Sequence, residues 1–281
     1  MLLLAHEAYS GQFEVATVNH GLRDTAAAEC AFVEQVCHDR GIACATLNVS
    51  VGEGNVQAQA RAARYGALER WVNERGLAAL LTAHHADDQA ETLMMRLNRG
   101  SGIAGLAGVR ADHHTKHNSL RILRPLLNFR RAELASVVEA CGLVAVADPS
   151  NRDTRYDRVR IREALADAAW LDPLSISRSA QNLADADEAL SYAADRFWEE
   201  HAEQDGQTIR LRLHPMRETR MRLITRAIER LGGTPRGGDV AQLEQNLARI
   251  RKANIAGVMI ELKLEEEGPF FHFAPEPPRN S

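Results

Sequence analysis

Leu77-Ala78-Ala79-Leu80-Leu81 is an apolar run of the length of one buried strand. After Thr82 and Ala83 it empties into His84-His85-Ala86-Asp87-Asp88-Gln89-Ala90-Glu91-Thr92. Leu93, Met94 and Leu97 then continue at helical spacing. A fully apolar strand that runs straight into a helix belongs to a sheet covered on both faces. The junction is of the kind found in open α/β sheets. Such sheets bind ligands beyond the carboxyl ends of their strands, where this packet of titratable side chains falls. His84, Asp88 and Glu91 are spaced to share one helix face. A plain polar turn with a helix cap is the simpler reading, but a cap does not need two His, two Asp and a Glu together.

The segments around this junction repeat its rhythm. Phe13–Val18 reads as a strand and Ala26–Asp39 as a helix. Ala43–Val49 is a second strand, Val56–Glu74 a long amphipathic helix, and Leu77–Thr82 a third strand whose helix reaches Asn98. Leu120–Leu123 makes a fourth strand, closed by Arg124-Pro125, and Arg131–Cys141 is helical; the polar stretch His113–Ser119 reads as a loop. Strands alternating with helices imply a doubly wound parallel sheet with right-handed crossovers.

Past Trp170 the rhythm changes. A long helix runs from Pro173 to Glu203, with Leu183, Leu190 and Phe197 two turns apart. Thr208–Leu213 alternates like a strand, Pro215–Leu231 is helical, and Gly232–Gly238 is a loop. A helix over Val240–Ile250 and a hairpin from Ala256–Leu264 and Phe270–Phe273 complete a smaller, mainly helical domain. The expected division is 1–170 for the α/β domain and 171–281 for the second, with the tail from Ala274 disordered.

Charge adds a partner class. The formal net charge is -4, which by itself argues against nucleic acid. The distribution argues otherwise. Arg121, Arg124, Arg130 and Arg131 form one group, and Arg152, Arg155, Arg158, Arg160 and Arg162 a second. Arg210, Arg212, Arg217, Arg220, Arg222, Arg226 and Arg230 form a third. The guanidinium fork suits phosphates, so these groups are candidates for an RNA surface, with solvated helix faces as the alternative. No apolar run reaches membrane-span length, and Met1-Leu2-Leu3-Leu4-Ala5-His6 lacks the length and basic flank of a signal peptide. Cys30, Cys37, Cys44 and Cys141 include no C-x-x-C pair; free thiols of this kind fit a reducing cytoplasm.

Further motifs fall in a definite order. They are Val18-Asn19-His20-Gly21-Leu22-Arg23, then Asn55 to Tyr65, then Arg99-Gly100-Ser101-Gly102 with Gly105-Leu106, then Leu123-Arg124-Pro125-Leu126. Asp148-Pro149-Ser150-Asn151 follows, before the arginine-dense Tyr156–Arg162. With the His-His-x-Asp-Asp-Gln-x-Glu-Thr string, this order resembles the tRNA(Ile)-lysidine synthases of the PP-loop ATP pyrophosphatase superfamily. The resemblance is strong over residues 1 to 165 and general beyond.

The resemblance implies an adenine nucleotide α-hydrolase-like fold and a specific reaction. ATP adenylates the C2 oxygen of the wobble cytidine in a tRNA(Ile) with a CAU anticodon. The side-chain amine of free lysine then attacks C2 and displaces AMP, giving lysidine. Lysine's amine has a reference pKa of about 10.4 and arrives protonated, so a carboxylate must hold it and a base must take a proton. Asp87, Asp88 and Glu91 suit the first task, Asp88 or His84 the second, with His85 in the same constellation. Arg99 and the Gly100-Ser101-Gly102 turn suit the phosphates of ATP, with Mg²⁺ as companion ion. Asn19 and His20 lie where the family cradles adenine, and Arg124, Arg158 and Arg162 suit tRNA phosphates. A cytoplasmic location is expected, and a homodimer is an open expectation.

Two departures stand out. The family's Ser-Gly-Gly-x-Asp-Ser phosphate loop does not occur in this sequence, whose first residues read as the middle of the helix that follows it. The expectation is that the loop and a central first strand precede Met1 in the native protein. Val159 also stands where the family carries Asn, although Arg158 and Arg162 are kept. Other readings are an inactive tRNA-binding relative, a tRNA thiolase without its usual paired cysteines, and a metal-dependent phosphohydrolase using His84, His85, Asp87 and Asp88. The phosphohydrolase leaves the Arg-Gly-Ser-Gly and Asp-Pro-Ser-Asn elements without a task.

Overall fold

Helix α3 organises the first half of the molecule. In the computed structural model it spans Val56–Glu74, and Leu68, Trp71 and Val72 on one of its faces are buried. They pack with Leu80, Leu120 and Ile122, and Ala16, Val18, Ala45 and Leu47 close the same cluster. The structure describes residues 1–9, 11–21, 25–50, 56–115, 120–146 and 155–277. These fall into two compact units, Met1–Ala184 and Asp185–Ser281.

In the first unit, α1 (Leu2–Ala8) precedes β1 (Val15–Asn19), α2 (Ala26–His38), β2 (Cys44–Asn48) and α3. Then come β3 (Leu80–Leu81), α4 (Ala86–Asn98), α5 (Ile103–Leu106), β4 (Asp112–His114) and β5 (Arg121–Leu123). Helices α6 (Arg131–Ala140) and α7 (Asp157–Asp167) follow, and α8 begins at Pro173. β1 pairs with β2 in parallel, Val15 opposite Cys44, and β3 pairs with β5 in parallel, Leu80 opposite Ile122. The strands thus form two sheets rather than one continuous ladder, and the α3 cluster joins them through apolar packing.

The parallel expectation needs one correction. β4 runs antiparallel to β5 and includes His113 and His114, which the sequence reading placed in a loop. All of β4 is exposed, so it carries no apolar alternation, which is the signal that marks a strand. Residues 116–119 of that loop lie outside the described residues. Cys30 and Cys37 are buried free thiols, as expected of core positions. Burial above all pushes the Cys37 thiol up to about 12.

The second unit contains most of α8 (Pro173–His201), then β6 (Ala202–Asp205), β7 (Thr208–Arg212), α9 (Arg217–Arg230) and α10 (Gly237–Ile250). β8 (Lys252–Ile255), β9 (Val258–Glu265) and β10 (Gly268–Pro275) complete it. The expected hairpin is the centre of a five-stranded antiparallel sheet, ordered β6-β7-β10-β9-β8. Ile209, Leu211, Ile260, Phe271 and Phe273 from this sheet bury against Leu223, Ile224 and Ile228 of α9 and Trp198 of α8.

Several boundaries differ from the sequence reading. The third strand, expected over Leu77–Thr82, is confined to Leu80–Leu81, with Ala78 exposed and Leu77 packed on the α3 cluster ahead of it. α8 stops at His201 because 202–205 pair with β7. α10 begins inside the glycine-rich stretch, at Gly237. The expected disorder from Ala274 does not hold for Ala274 and Pro275, which pair with Met259 and Val258. Proline is tolerated there because β7 pairs with β10 only as far as Phe273, so the missing N–H leaves no ladder bond unmade. Residues 278–281 lie outside the described residues.

Candidate active site

The strand-to-helix junction is built from four separate segments. His85 is the N-cap of α4, in extended conformation. Its backbone N–H donates to Asp88 Oδ2 at 3.1 Å, and the Asp88 N–H donates to His85 Nδ1 at 3.4 Å. This reciprocal box satisfies helix N–H groups that would otherwise lack partners. The Ala86 N–H donates to the Phe129 carbonyl at 2.9 Å. Asp87 reaches the other way, accepting from the Arg131 N–H at 2.8 Å and so capping α6. Two negative side chains in the first turn of α4 also suit its dipole.

Helix α7 lies across α4 and delivers arginines. Arg158 Nε donates to Glu91 Oε2 at 2.5 Å, and its Nη2 donates to Asp88 Oδ1 at 2.7 Å. Arg162 Nε donates to Glu91 Oε1 at 2.6 Å. The Glu91 side chain is only 3% exposed, whereas that of Arg158 is 42% exposed. Burial by itself would raise the Glu91 carboxyl; the hydrogen bonds and charges of Arg162 and Arg158 outweigh it and hold the group below its ordinary range.

His84 sits beside this cluster, hydrogen-bonded through Nδ1 to Thr82 Oγ1 at 3.0 Å. Burial, then the positive charge of Arg124, lowers its pKa to about 4 against the opposing pull of Asp88. The imidazole is therefore neutral at physiological pH and free to accept a proton. Arg124 is itself buried, donates to the Arg110 carbonyl at 2.6 Å and is bonded to Tyr65. Arg61 stacks on Tyr65, 4.8 Å from the ring centroid. Arg61 and Tyr65 are additions to the sequence-derived set. Their signal was present in the Asn55–Tyr65 motif, but nothing local tied it to His84.

The far end of α4 carries a second feature. Arg99 is its C-cap residue and reaches Asp157 at 3.4 Å. Met95, Asn98, Arg99, Asp157, Arg160 and Ile161 line a depression of about 200 Å³. Gly100 takes φ 66° in the turn that follows, a conformation natural to glycine. Ser101 N–H then returns to the Arg96 carbonyl at 3.0 Å, and Gly102 caps α5. Gln89 and Arg96 hold the next stretch, donating to the carbonyls of Val109 and Gly108 at 3.1 and 3.0 Å. Asn19 ends β1 and His20 follows it; Asn19 Oδ1 accepts from the Gly21 N–H at 2.9 Å.

The structure thus brings His84, His85, Asp87, Asp88, Glu91, Arg124, Arg158 and Arg162 together. Arg99 to Gly102 occupy the opposite end of α4, and Asn19 belongs to the other sheet, with His20 following it. Leu22, Arg23, Asn55 and the Asp148-Pro149-Ser150-Asn151 motif lie outside the described residues. Among the described residues, no group of three or more His, Cys, Asp or Glu converges as a metal cluster would. No helix is long and apolar enough to cross a membrane.

The third arginine group has local partners within its own unit. Arg210 binds Glu203, Glu265 and Glu267; Arg217 and Arg220 share Glu244. Arg222 takes Asp187 and Glu218, and Arg226 takes Asp195. For these five, the solvated-face alternative is closer to the structure than a row of waiting phosphate ligands.

Comparison with known proteins places this arrangement in context. A PP-loop domain model matches residues 1–169. The tRNA(Ile)-lysidine synthase of Novosphingobium aromaticivorans is 47% identical over 262 residues, spanning 92% of this chain and 80% of that protein. The enzyme of the same name from Zymomonas mobilis is 37% identical over 276 residues, spanning 95% of this chain and 82% of its own length. Among solved structures, the U34-tRNA thiolase NcsA from Methanococcus maripaludis matches with a TM-score of 0.53 at 19% identity, covering 65% of this chain and 67% of that one. That last likeness is one of fold.

Proposed function

The chain belongs to the PP-loop family and, within it, to the tRNA(Ile)-lysidine synthases, and from that premise we propose that it performs ATP-dependent lysidine formation on tRNA(Ile) through the α4–α7 cluster. The observation that carries the site assignment is the convergence of Asp88, Glu91 and a neutral His84 at the carboxyl end of β3.

The chemistry follows from the groups present. The C2 oxygen of the wobble cytidine attacks the α-phosphorus of ATP and releases pyrophosphate, which makes AMP the next leaving group; the lysine amine then forms the new C–N bond as the C–O bond to AMP breaks. Asp88, supported by Glu91, is placed to hold the incoming ammonium. A His with pKa near 4 is too weak to deprotonate a free ammonium ion, whose reference pKa is about 10.4; the ammonium's first proton therefore goes to water before the amine attacks, and His84 is left the second. It can take a proton once bond formation has made the nitrogen acidic, because it is reliably unprotonated at that moment. Asp87 and His85 position the helix end that carries Asp88.

The nucleotide is a substrate, and the donor set at the foot of α4 suits its phosphates: Arg99 and Arg160 line one depression, beside a glycine turn. Asn19 and His20 are assigned to adenine by the family likeness. Mg²⁺ would accompany the phosphates and neutralise part of their charge as pyrophosphate leaves. Free lysine and a CAU-anticodon tRNA(Ile) are the remaining substrates, and residues 171–281 are assigned to tRNA contact. A cytoplasmic setting and a homodimer complete the proposal.

The test is incubation with ATP, labelled lysine and tRNA(Ile), followed by nucleoside analysis. Lysidine should form, and Asp88→Asn should abolish lysine transfer while tRNA binding persists. Full transfer by Asp88→Asn would refute the assignment.

A further inference from the structure

Arg158 occupies the place that a substrate ammonium needs. Its two nitrogens bond the two carboxylates best placed to hold a lysine side chain: Nη2 to Asp88 at 2.7 Å and Nε to Glu91 at 2.5 Å. A guanidinium and an ammonium cannot both lie between these acids without strong repulsion.

The two α7 arginines differ in what their departure would cost. Arg162 binds Glu91 Oε1 at 2.6 Å and its side chain is 28% exposed. It remains with Glu91 if Arg158 leaves, so the buried charge keeps a partner. Arg158, 42% exposed, is the more accessible arm. Its withdrawal leaves Asp88 still anchored by the His85 N–H at 3.1 Å and open to one new cation. A guanidinium fork fits a phosphate as well as a carboxylate, so a phosphate at the mouth of the site competes directly for Arg158.

We infer that Arg158 is a substrate-operated counter-ion: a phosphate of bound ATP or tRNA draws it from Asp88, and only then does the lysine site open. The inference rests on the proposed function for the identity of the cationic substrate. It orders the reaction, since lysine is admitted only after a phosphate-bearing substrate is in place. Lysine present in excess would then not block the empty site.

Equilibrium dialysis of labelled lysine against the full protein tests this. Wild type, Arg158→Gln and Arg158→Lys are compared alone, with a non-hydrolysable ATP analogue, with tRNA(Ile), and with both. Wild type should bind lysine at least about tenfold tighter when a phosphate-bearing substrate is present, and the arm that produces the gain identifies the phosphate. Arg158→Gln should bind lysine without that help, its ratio falling to near one, while Arg158→Lys keeps a reduced ratio. Circular dichroism checks that each variant folds; if Arg158→Gln does not, the wild-type ratio and its reduction in Arg158→Lys decide. Equal lysine affinity of wild type in all four conditions, or an undiminished ratio in the variants, overturns the inference. Lysidine formation by wild type, measured in parallel, judges the proposed function separately from these ratios.

Discussion

Glu91→Gln isolates the central ion pair with almost no change of volume. The carboxylate is 3% exposed and accepts from Arg158 Nε, Arg162 Nε and, at 3.3 Å, Arg162 Nη2. An amide can accept from one arginine, but its NH₂ then faces the other guanidinium donor to donor. Breaking a buried ion pair by removing one partner typically costs about 3–5 kcal/mol. Here the cations left behind are 42% and 28% exposed and can recover part of their hydration, which lowers the expected loss to about 2–3 kcal/mol. Hydrogen exchange by mass spectrometry in graded denaturant reads this loss in α4 and α7 peptides, with β9 and β10 of the second unit as internal reference. Wild type should also depend on pH in a way the variant lacks. The Glu91 pKa is lowered on folding from an ordinary 4.5, so its stabilisation is present above that value and is lost as pH falls through the lower, folded pKa. A loss below about 0.5 kcal/mol, the range of ordinary surface substitutions, would refute the reasoning, as would an equal loss in the β9–β10 reference.

Other consequences are open to measurement. His84 should titrate by NMR with a midpoint near 4; because its pKa falls on folding, the first unit should lose stability as pH drops from about 6.5 towards 4, and a midpoint above 6 would contradict the burial argument. Gly108→Ala should destabilise the first unit by about 2–4 kcal/mol in urea, since φ is +67° and the new methyl would run into the Gln89 carboxamide, which is itself held by Val109. Arg222→Met should weaken the second unit through loss of Asp187 and Glu218 contacts, yet leave the salt dependence of tRNA binding unchanged; a shallower slope in a filter-binding assay would mark Arg222 as a phosphate ligand after all.

Much of the fold was legible because its signals are local. Val56–Glu74 matches the sequence reading at both ends, although its apolar residues do not concentrate on one face as the amphipathic reading expected; a proline-free run rich in Ala, Gln and Arg favours helix throughout. The missed strands lack such a signal. β4 is Asp112-His113-His114, fully exposed; β6 is Ala202-Glu203-Gln204-Asp205, an edge strand with three exposed residues; and β8, Lys252-Ala253-Asn254-Ile255, is the opposite edge, with Lys252 and Asn254 exposed. Their pairing is dictated by neighbours, which composition does not reveal. In the site, spacing put Asp88 and Glu91 on α4, whereas His84 precedes the helix and its extended N-cap His85, so the shared helix face expected for it does not form; the structure adds the partners. Arg158 and Arg162 come from 67 and 71 residues away to meet Glu91, and Arg131 from 44 residues away to meet Asp87. No periodicity encodes these distances; they follow from how the α/β unit wraps.

Counting arginines therefore separates poorly into function, and pairing separates it better. Arg217 and Arg220 converge on a Glu244 side chain that is 8% exposed, a contact that holds α9 to α10. Arg158 makes an equally short contact, but with carboxylates whose position at a strand's carboxyl end gives them another possible partner. The physical difference is what replaces the arginine when it moves. At Glu244, nothing on the reaction path does, so the pair is structural. At Asp88, a substrate cation does, so the same kind of bond becomes reversible in function. Any change that strengthens the Arg158 pair should stabilise the α4–α7 crossing and weaken lysine binding together, a trade that a purely structural ion pair would not show.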